Sequence, residues 1–334
     1  MTRERAHRSP PIQERAFHRW LESHLAAGRS GLLPLGDDAA AIRPPRGQVA
    51  VLTTDALVEG THFRAESDPG QVGAAAVGVS LSDLAAKGAR PAGLLLAVVV
   101  PRGTPASWAQ ALIAGGSRCA RAYGAEIVGG DTKPGPVRTI VSSAVGWAAP
   151  GRLAPRTAAR PGDVLVTTGE VGRGGLAAAH LNDRHWPRAR SLRELLDVRP
   201  RVREGIRIAR WAHAMLDTSD GLGESAWLLS AASHVRVVVE ESQLPLARGL
   251  ARAARTPARR RTLAFFGGDY ELLAAVPEPG LERAQEAVAS AGGTLTVIGR
   301  VERGRGAWLA TSRGRRPMPH SGWQPFGPEP VPAF

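Results

Sequence analysis

Two α+β domains are the fold the sequence predicts, on three observations. The 334 residues suffice for two cores of ordinary size. Strand-like and helix-like segments are mixed without strict alternation. A segment rich in Pro, Gly and Arg, "APGRLAPRTAARPGD" (149–163), interrupts the chain near its middle. The expected division is 1–148 and 149–334, with residues 1–12 a loose tail.

Taken in order, "IQERAFHRWLESHL" has the spacing of an amphipathic helix, and "GLLPLGDDAAAI" reads as a turn and short strand. "QVAVLTTDALVEGTHF" predicts a strand running into a polar loop. "GQVGAAAVGVSLSDLAAKGARP" predicts a long helix of small residues, ended by Gly88 at the C-cap with Pro91 beyond. Strand "AGLLLAVVVP", helix "SWAQALIAGGSRCARAYG" and strand "AEIVGGD" follow, and "VRTIVSSAVGWA" alternates with period two. After the boundary come strand "DVLVTTG", a glycine-rich turn "GEVGRGG" and helix "LAAAHL". A helical, arginine-heavy stretch is expected over 190–214, then a helix after "DTSDG". Strand "VRVVVEE", a hairpin "TLAFFGGDYELLAAV", helix "GLERAQEAVASAGG" and strand "TLTVIGRV" complete the pattern.

Composition narrows the function. No run reaches the roughly 18 apolar residues of a membrane span. The charged N-terminus lacks the apolar stretch of a signal peptide, so a cytoplasmic protein with no membrane partner is expected. The lone Cys119 excludes an internal disulfide and a multi-cysteine metal site, and its helix predicts packing rather than reactivity. The net charge of +13 comes almost wholly from arginine, since only Lys87 and Lys133 are lysines. Those arginines are dispersed, aromatics are sparse and no nucleic-acid-binding motif is present. No nucleic-acid partner is expected.

The carboxylates carry the chemistry. Asp37 and Asp38 in "GDD", Asp55 in "TTD", Asp131 in "GGDT", and Asp217 and Asp220 in "DTSDG" each follow an apolar run beside glycine or a hydroxyl residue. Asp83 stands inside a helix, aligned with Ala76, Val79 and Ala86 on a face of small residues. Singly, each has an ordinary explanation. Asp220 or Ser219 could cap the helix starting at Gly221, Asp37 and Asp131 could shape turns, and Asp83 could pair with an arginine. Together they suit a hard, oxygen-seeking cation. Magnesium usually takes one or two carboxylates and shares the rest of its shell with water and phosphate, so several distant aspartates imply several ions holding a polyphosphate. The P-loop and protein-kinase signatures are absent.

Read in order, "GDDAA", "TTDALVEGTHF", "VSLSDLAAKGARP", "GGDT", "PGDVLVTTG", "DTSDGL" and "GGDYELL" resemble thiamine-monophosphate kinase, a family related to aminoimidazole ribonucleotide synthetase and selenophosphate synthetase. The resemblance runs from about residue 13 to 326. It implies two α+β domains of the aminoimidazole ribonucleotide synthetase type, with the active site in the cleft between them and a homodimer through the N-terminal domains. It implies magnesium-dependent transfer of the ATP γ-phosphate to thiamine monophosphate, giving thiamine diphosphate and ADP, the final step of thiamine diphosphate biosynthesis. Carried over by motif, Asp38, Thr53, Thr54, Asp55, Asp83, Asp131, Asp217 and Asp220 are expected to hold magnesium. Gly130, Asp131, Arg156 and Ser219 are expected at ATP, and His62 and Trp323 at thiamine monophosphate. No general base is expected, because the attacking phosphate oxygen is already ionised near neutral pH.

One departure stands out. The family usually reads Gly-Gly-Glu-Asp-Tyr-Glu-Leu, whereas this chain has "FFGGDYELL", with Gly268 in place of the glutamate or one residue deleted. That glutamate is expected to help bind thiamine, and Asp269 is the candidate substitute. The alternative readings are a relative with another acceptor, or a non-catalytic nucleotide-binding relative. Selenophosphate synthetase and hydrogenase-maturation relatives would want a cysteine that this chain does not place in the N-terminal region or at the C-terminus.

Overall fold

Two separate sheets, one from each half of the chain, enclose the central helices of the molecule. The computed structural model describes residues 20, 21, 24, 44–181, 183, 185–320 and 322. The four-stranded sheet contains β1 (Val49–Val58), β2 (Arg90–Val100), β3 (Glu126–Pro134) and β4 (Thr139–Ala148), in the order β1-β4-β2-β3. Only β2 and β3 are parallel, which requires a crossover between them. Helix α1 (Pro69–Ala86) joins β1 to β2, and α2 (Ala106–Ala122) is the crossover.

Helix α1 is the pivot of the fold. Asp68 caps it by accepting Gln71 N–H at 2.9 Å, and Pro69 opens the first turn. Gly88 closes it in a left-handed conformation, as the sequence predicts. Its small residues bring backbones together on two sides. A Cβ on Gly73 would lie 1.9 Å from the Leu112 carbonyl oxygen of α2, and one on Gly205 would lie 2.2 Å from that of Ala85. Gly205 belongs to the C-terminal half, so α1 is buried between both halves of the chain.

The seven-stranded sheet contains β5 (Asp163–Thr168), β6 (Ala214–Asp217), β7 (Arg236–Glu240), β8 (Leu272–Pro277), β9 (Leu295–Glu302), β10 (Gly306–Thr311) and β11 (Gly314–Pro317), in the order β11-β10-β7-β9-β5-β8-β6. Its helices are α3 (Arg173–Leu181), α4 (Arg188–Leu195), α5 (Val202–Ile208), α6 (Leu222–Ser233), α7 (Leu250–Ala253), α8 (Pro257–Ala264) and α9 (Leu281–Ala289). Strand β8 reads as an unbroken apolar run because both of its faces are buried. Leu272, Ala274 and Val276 join the core shared with α1, while Leu273 and Ala275 join a second core with Leu222, Leu229 and Phe265.

Two expectations are corrected. "TLAFFGGDYELLAAV" is not a hairpin: Thr262–Ala264 end helix α8, and only Leu272–Pro277 form a strand. Thr256 caps α8 through Arg259 N–H and Pro257 opens it, so local capping outweighs the apolar run. The stretch 190–214 is broken between α4 and α5, and β6 begins at Ala214. Strands β10 and β11 and helix α7 escaped the sequence reading altogether. The helix expected over "IQERAFHRWLESHL" and the strand expected in "GLLPLGDDAAAI" fall mainly or wholly outside the described residues.

Candidate active site

Strand alternation sorts the "LTTDA" residues. Thr53 and Asp55 project towards α1, where Thr53 Oγ1 donates to Asp83 Oδ2. Thr54 projects to the other face and meets Ser143 Oγ at 2.9 Å. Asp217 ends β6, directly across from α1. Ser82 Oγ donates to Asp217 Oδ2 at 2.7 Å, and Ser219 Oγ donates to its Oδ1 at 2.9 Å. Ser225 Oγ from α6 fixes the Asp217 carbonyl at 2.8 Å. Asp55 and Asp83 from one half of the chain, and Asp217, Ser219 and Asp220 from the other, thus line one cleft of about 350 Å³. His62, Val79, Leu196, Phe266, Gly268 and Tyr270 are among the other residues of its walls.

The crowding of negative charge shows in the acidities. Burial, with Asp83, Asp217 and Asp220 nearby, pushes Asp55 up to about 7. Burial and Asp83 push Asp217 up to about 6, against the two serine hydroxyls that hold it down. Asp220 is raised by burial, then by Glu224 and Asp83. The Tyr270 hydroxyl is raised by burial and by the same four aspartates. Such a cluster discharges either by taking up protons or by taking up cations. Among the described residues no three side-chain ligands converge into a ready-made metal shell. Carboxylates spread over facing walls fit ions that fill their remaining positions with water and phosphate oxygen.

Several expected site residues stand elsewhere. Thr54 turns its hydroxyl away from the cluster, so only its backbone is on the cleft side. Asp131 and Gly130 lie on β3, at the opposite edge of the sheet from β1. Three strand spacings separate them from Asp55, roughly 14 Å, and Asp131 pairs with Lys133 at 2.9 Å. At that spacing Asp131 would serve a different ion from Asp55 and Asp217 within one chain. Arg156 is exposed, close enough to Lys87 to help lower its pKa. Asp269 is corrected. It is buried, 2 % exposed, and accepts Gly172 N–H at 2.7 Å and Gly174 N–H at 2.9 Å. It holds the glycine-rich turn before α3 instead of facing the cleft. Gly268 lines the cleft with φ +76°, a conformation that favours glycine, and its N–H donates to Ser219 O at 2.7 Å. Asp38 and Trp323 lie outside the described residues. Gly322 is described and packs on Asp220, where a Cβ would lie 2.0 Å from the carbonyl oxygen.

His62 lines the cleft with a defined proton. Its Nδ1 accepts Val58 N–H at 3.1 Å, and burial lowers its pKa, so the neutral ring carries hydrogen on Nε2. Cys119 sits on α2 with its thiol pushed by burial up to about 11, as packing predicts.

Three contributors went unassigned in the sequence reading. Tyr270 brings an aromatic face into the cleft. Glu271, 1 % exposed, pairs with the Arg201 guanidinium at 2.6 Å and accepts Thr168 Oγ1 at 2.6 Å, joining β8, β5 and the start of α5 beneath the site. Lys87 donates to Met215 O at 2.7 Å and Ala154 O at 3.3 Å. Its position four residues after Asp83, on the same helix face, was the available signal.

Residues 36–148 match the N-terminal domain, and residues 160–309 the C-terminal domain, of AIR synthase related protein. Thiamine-monophosphate kinase of Synechococcus elongatus is 36% identical over 270 residues, covering 74% of this chain and 81% of that one. This chain belongs to the thiamine-monophosphate kinase family. The Halobacterium salinarum member is 38% identical, covering 80% and 87% of the two chains. Among solved structures, thiamine-monophosphate kinase from Stenotrophomonas maltophilia superposes with a TM-score of 0.77 at 31% identity, covering 84% and 91%. AaThiL complexed with AMPPCP and TMP superposes with a TM-score of 0.73 at 28% identity, covering 93% and 95%. The hydrogenase maturation protein HypE, at 21% identity and a TM-score of 0.72, shares the fold.

Proposed function

We propose that this chain transfers the γ-phosphoryl group of ATP to thiamine monophosphate, giving thiamine diphosphate and ADP, with magnesium held in the cleft. The observation that carries this reading is the meeting of Asp55, Asp83, Asp217 and Asp220, from both halves of the chain, in one cleft. The acceptor nucleophile is an ionised phosphate oxygen, so no side chain has to remove a proton. The obstacle is charge, since two anions must meet in line. Bound magnesium would offset that charge. Asp55, Asp83, Asp217 and Asp220 would hold it, Ser82 and Ser219 would orient Asp217, and Ser219 would stand beside the nucleotide phosphates. His62 would donate a hydrogen bond from Nε2–H to the acceptor and keep its proton. The faces of Tyr270 and Phe266 would take the thiamine rings, one of which is a cation attracted to an aromatic face.

The homodimer is part of the same proposal. One face of the four-stranded sheet packs on α1, and the other carries Leu52, 75% exposed, and Leu95, 44% exposed. In register beside them lie Val145 and Ser143 of β4. A sheet face with exposed leucines flanking the Thr54–Ser143 hydroxyl pair suits a second copy of itself. The cytoplasm is the proposed compartment, where ATP and magnesium are at hand; no helix among the described residues is long and apolar enough to cross a membrane.

Gly268 favours a second reading, in which the acceptor differs. A product assay with ATP, magnesium and thiamine monophosphate separates the two. Thiamine diphosphate formed in step with ADP supports the first. ATP and magnesium binding without that product would support another phosphorylated acceptor.

A further inference from the structure

Lys87 holds an unusual place. It is one of two lysines in a chain whose other cations are arginine, and its counterpart Lys133 is exposed. Lys87 caps the C-terminus of α1, one turn after Asp83. Its half-buried ammonium is spent on two main-chain carbonyls: Met215 O of β6, two residues before Asp217, and Ala154 O of the segment joining the two sheets. Burying an ammonium is costly unless hydrogen bonds repay it. Here both bonds cross from the N-terminal half to the C-terminal half, beside the Ser82–Asp217 bond that makes the same crossing. The compact head, with donors in three directions, suits carbonyls that converge from different elements better than a planar guanidinium does.

We propose that Lys87 is a positioning residue of the phosphoryl-transfer site, tying α1 to β6 and thereby fixing Asp83 and Asp217 at the separation that bound cations require. This rests on the reading of the cleft as a magnesium site. Cation sites tolerate little slack, and groups that only orient the ligands commonly carry a ten- to hundredfold share of affinity.

Charge and position pull in opposite directions, which makes the proposal testable. Removing a cation near Asp83 and Asp217 should by itself tighten metal binding. Removing a tie that holds two of them in place should weaken it. Mn2+ binding to the full chain, followed by electron paramagnetic resonance without nucleotide, reads the difference. Lys87→Met keeps the length and apolar stem while deleting the donors, and its Mn2+ dissociation constant is expected to rise about tenfold. Lys87→Gln, also neutral, is read in the same way should the methionine variant not fold. Ile298→Val, a change at a fully buried residue of the second core with Leu222 and Phe265, serves as a control for general loosening and should leave Mn2+ affinity unchanged. Equal or tighter binding in the folded Lys87 variants overturns the positioning role. If the wild-type protein shows no Mn2+ site that Asp217→Asn removes, the magnesium reading fails and takes the proposal with it.

Discussion

Ser82 Oγ on α1 donates to Asp217 Oδ2 on β6 at 2.7 Å, so a hydroxyl from one half of the chain orients a carboxylate from the other. With Ser219 on the second oxygen, Asp217 is held in one rotamer at the centre of the cleft.

Asp217→Asn should cut kcat/KM by at least about a hundredfold, the scale lost when one preorganised polar group is removed from a charged transition state. The amide keeps the shape and relieves repulsion from Asp83 and Asp220, so the thermal midpoint should hold or rise. A coupled ADP assay and a melting curve check both halves. Unchanged turnover would remove Asp217 from the cation site.

In the absence of divalent cations, stability should fall as pH rises from about 4 to about 7. Unfolded aspartate titrates near 3.9, whereas folded Asp55 lies at about 7 and Asp217 at about 6. Between those values the folded protein binds more protons than the unfolded chain. The stabilisation is complete below the unfolded pKa and is lost as pH passes the folded ones. Urea unfolding in EDTA should show this slope, Asp55→Asn should reduce it and leave the share of Asp217 and of buried Asp269, also raised to about 7, and magnesium should restore stability most at the upper end.

Asp269→Asn should act on stability before affinity. The buried carboxylate serves two amides of the glycine-rich turn, and an amide nitrogen would face one of those N–H groups. A loss of about 1–3 kcal/mol is expected in the unfolding free energy. A tenfold rise in KM for thiamine monophosphate at unchanged stability would return Asp269 to the acceptor site.

Leu52→Glu combined with Leu95→Glu should yield a folded monomer in sedimentation velocity, since both side chains are solvent-exposed within one chain. A dimer persisting in that variant would place the interface elsewhere.

Much of this protein was legible in one dimension. Apolar runs, period-two alternation and stop signals such as Gly88 and Pro91 placed α1, α2 and strands β1 to β5, because these are local properties that hold whatever the neighbours are. Asp55, Asp83, Asp217 and Asp220 were visible because carboxylates beside apolar runs are costly without a purpose. What was not legible has a common cause. Thr53 and Thr54 are identical to a motif, and only the pleat decided that one meets Asp83 while the other meets Ser143. Asp131 and Asp269 carry motif-like neighbours, yet strand order set one at a distant sheet edge and a glycine turn claimed the other. Lys87 and Ser82 find their partners more than 60 residues away. The sequence determined which residues could bear charge and which stretches could bury a face. Only the tertiary structure decided which charges meet, because a cleft between two halves is built from contacts that no local periodicity encodes.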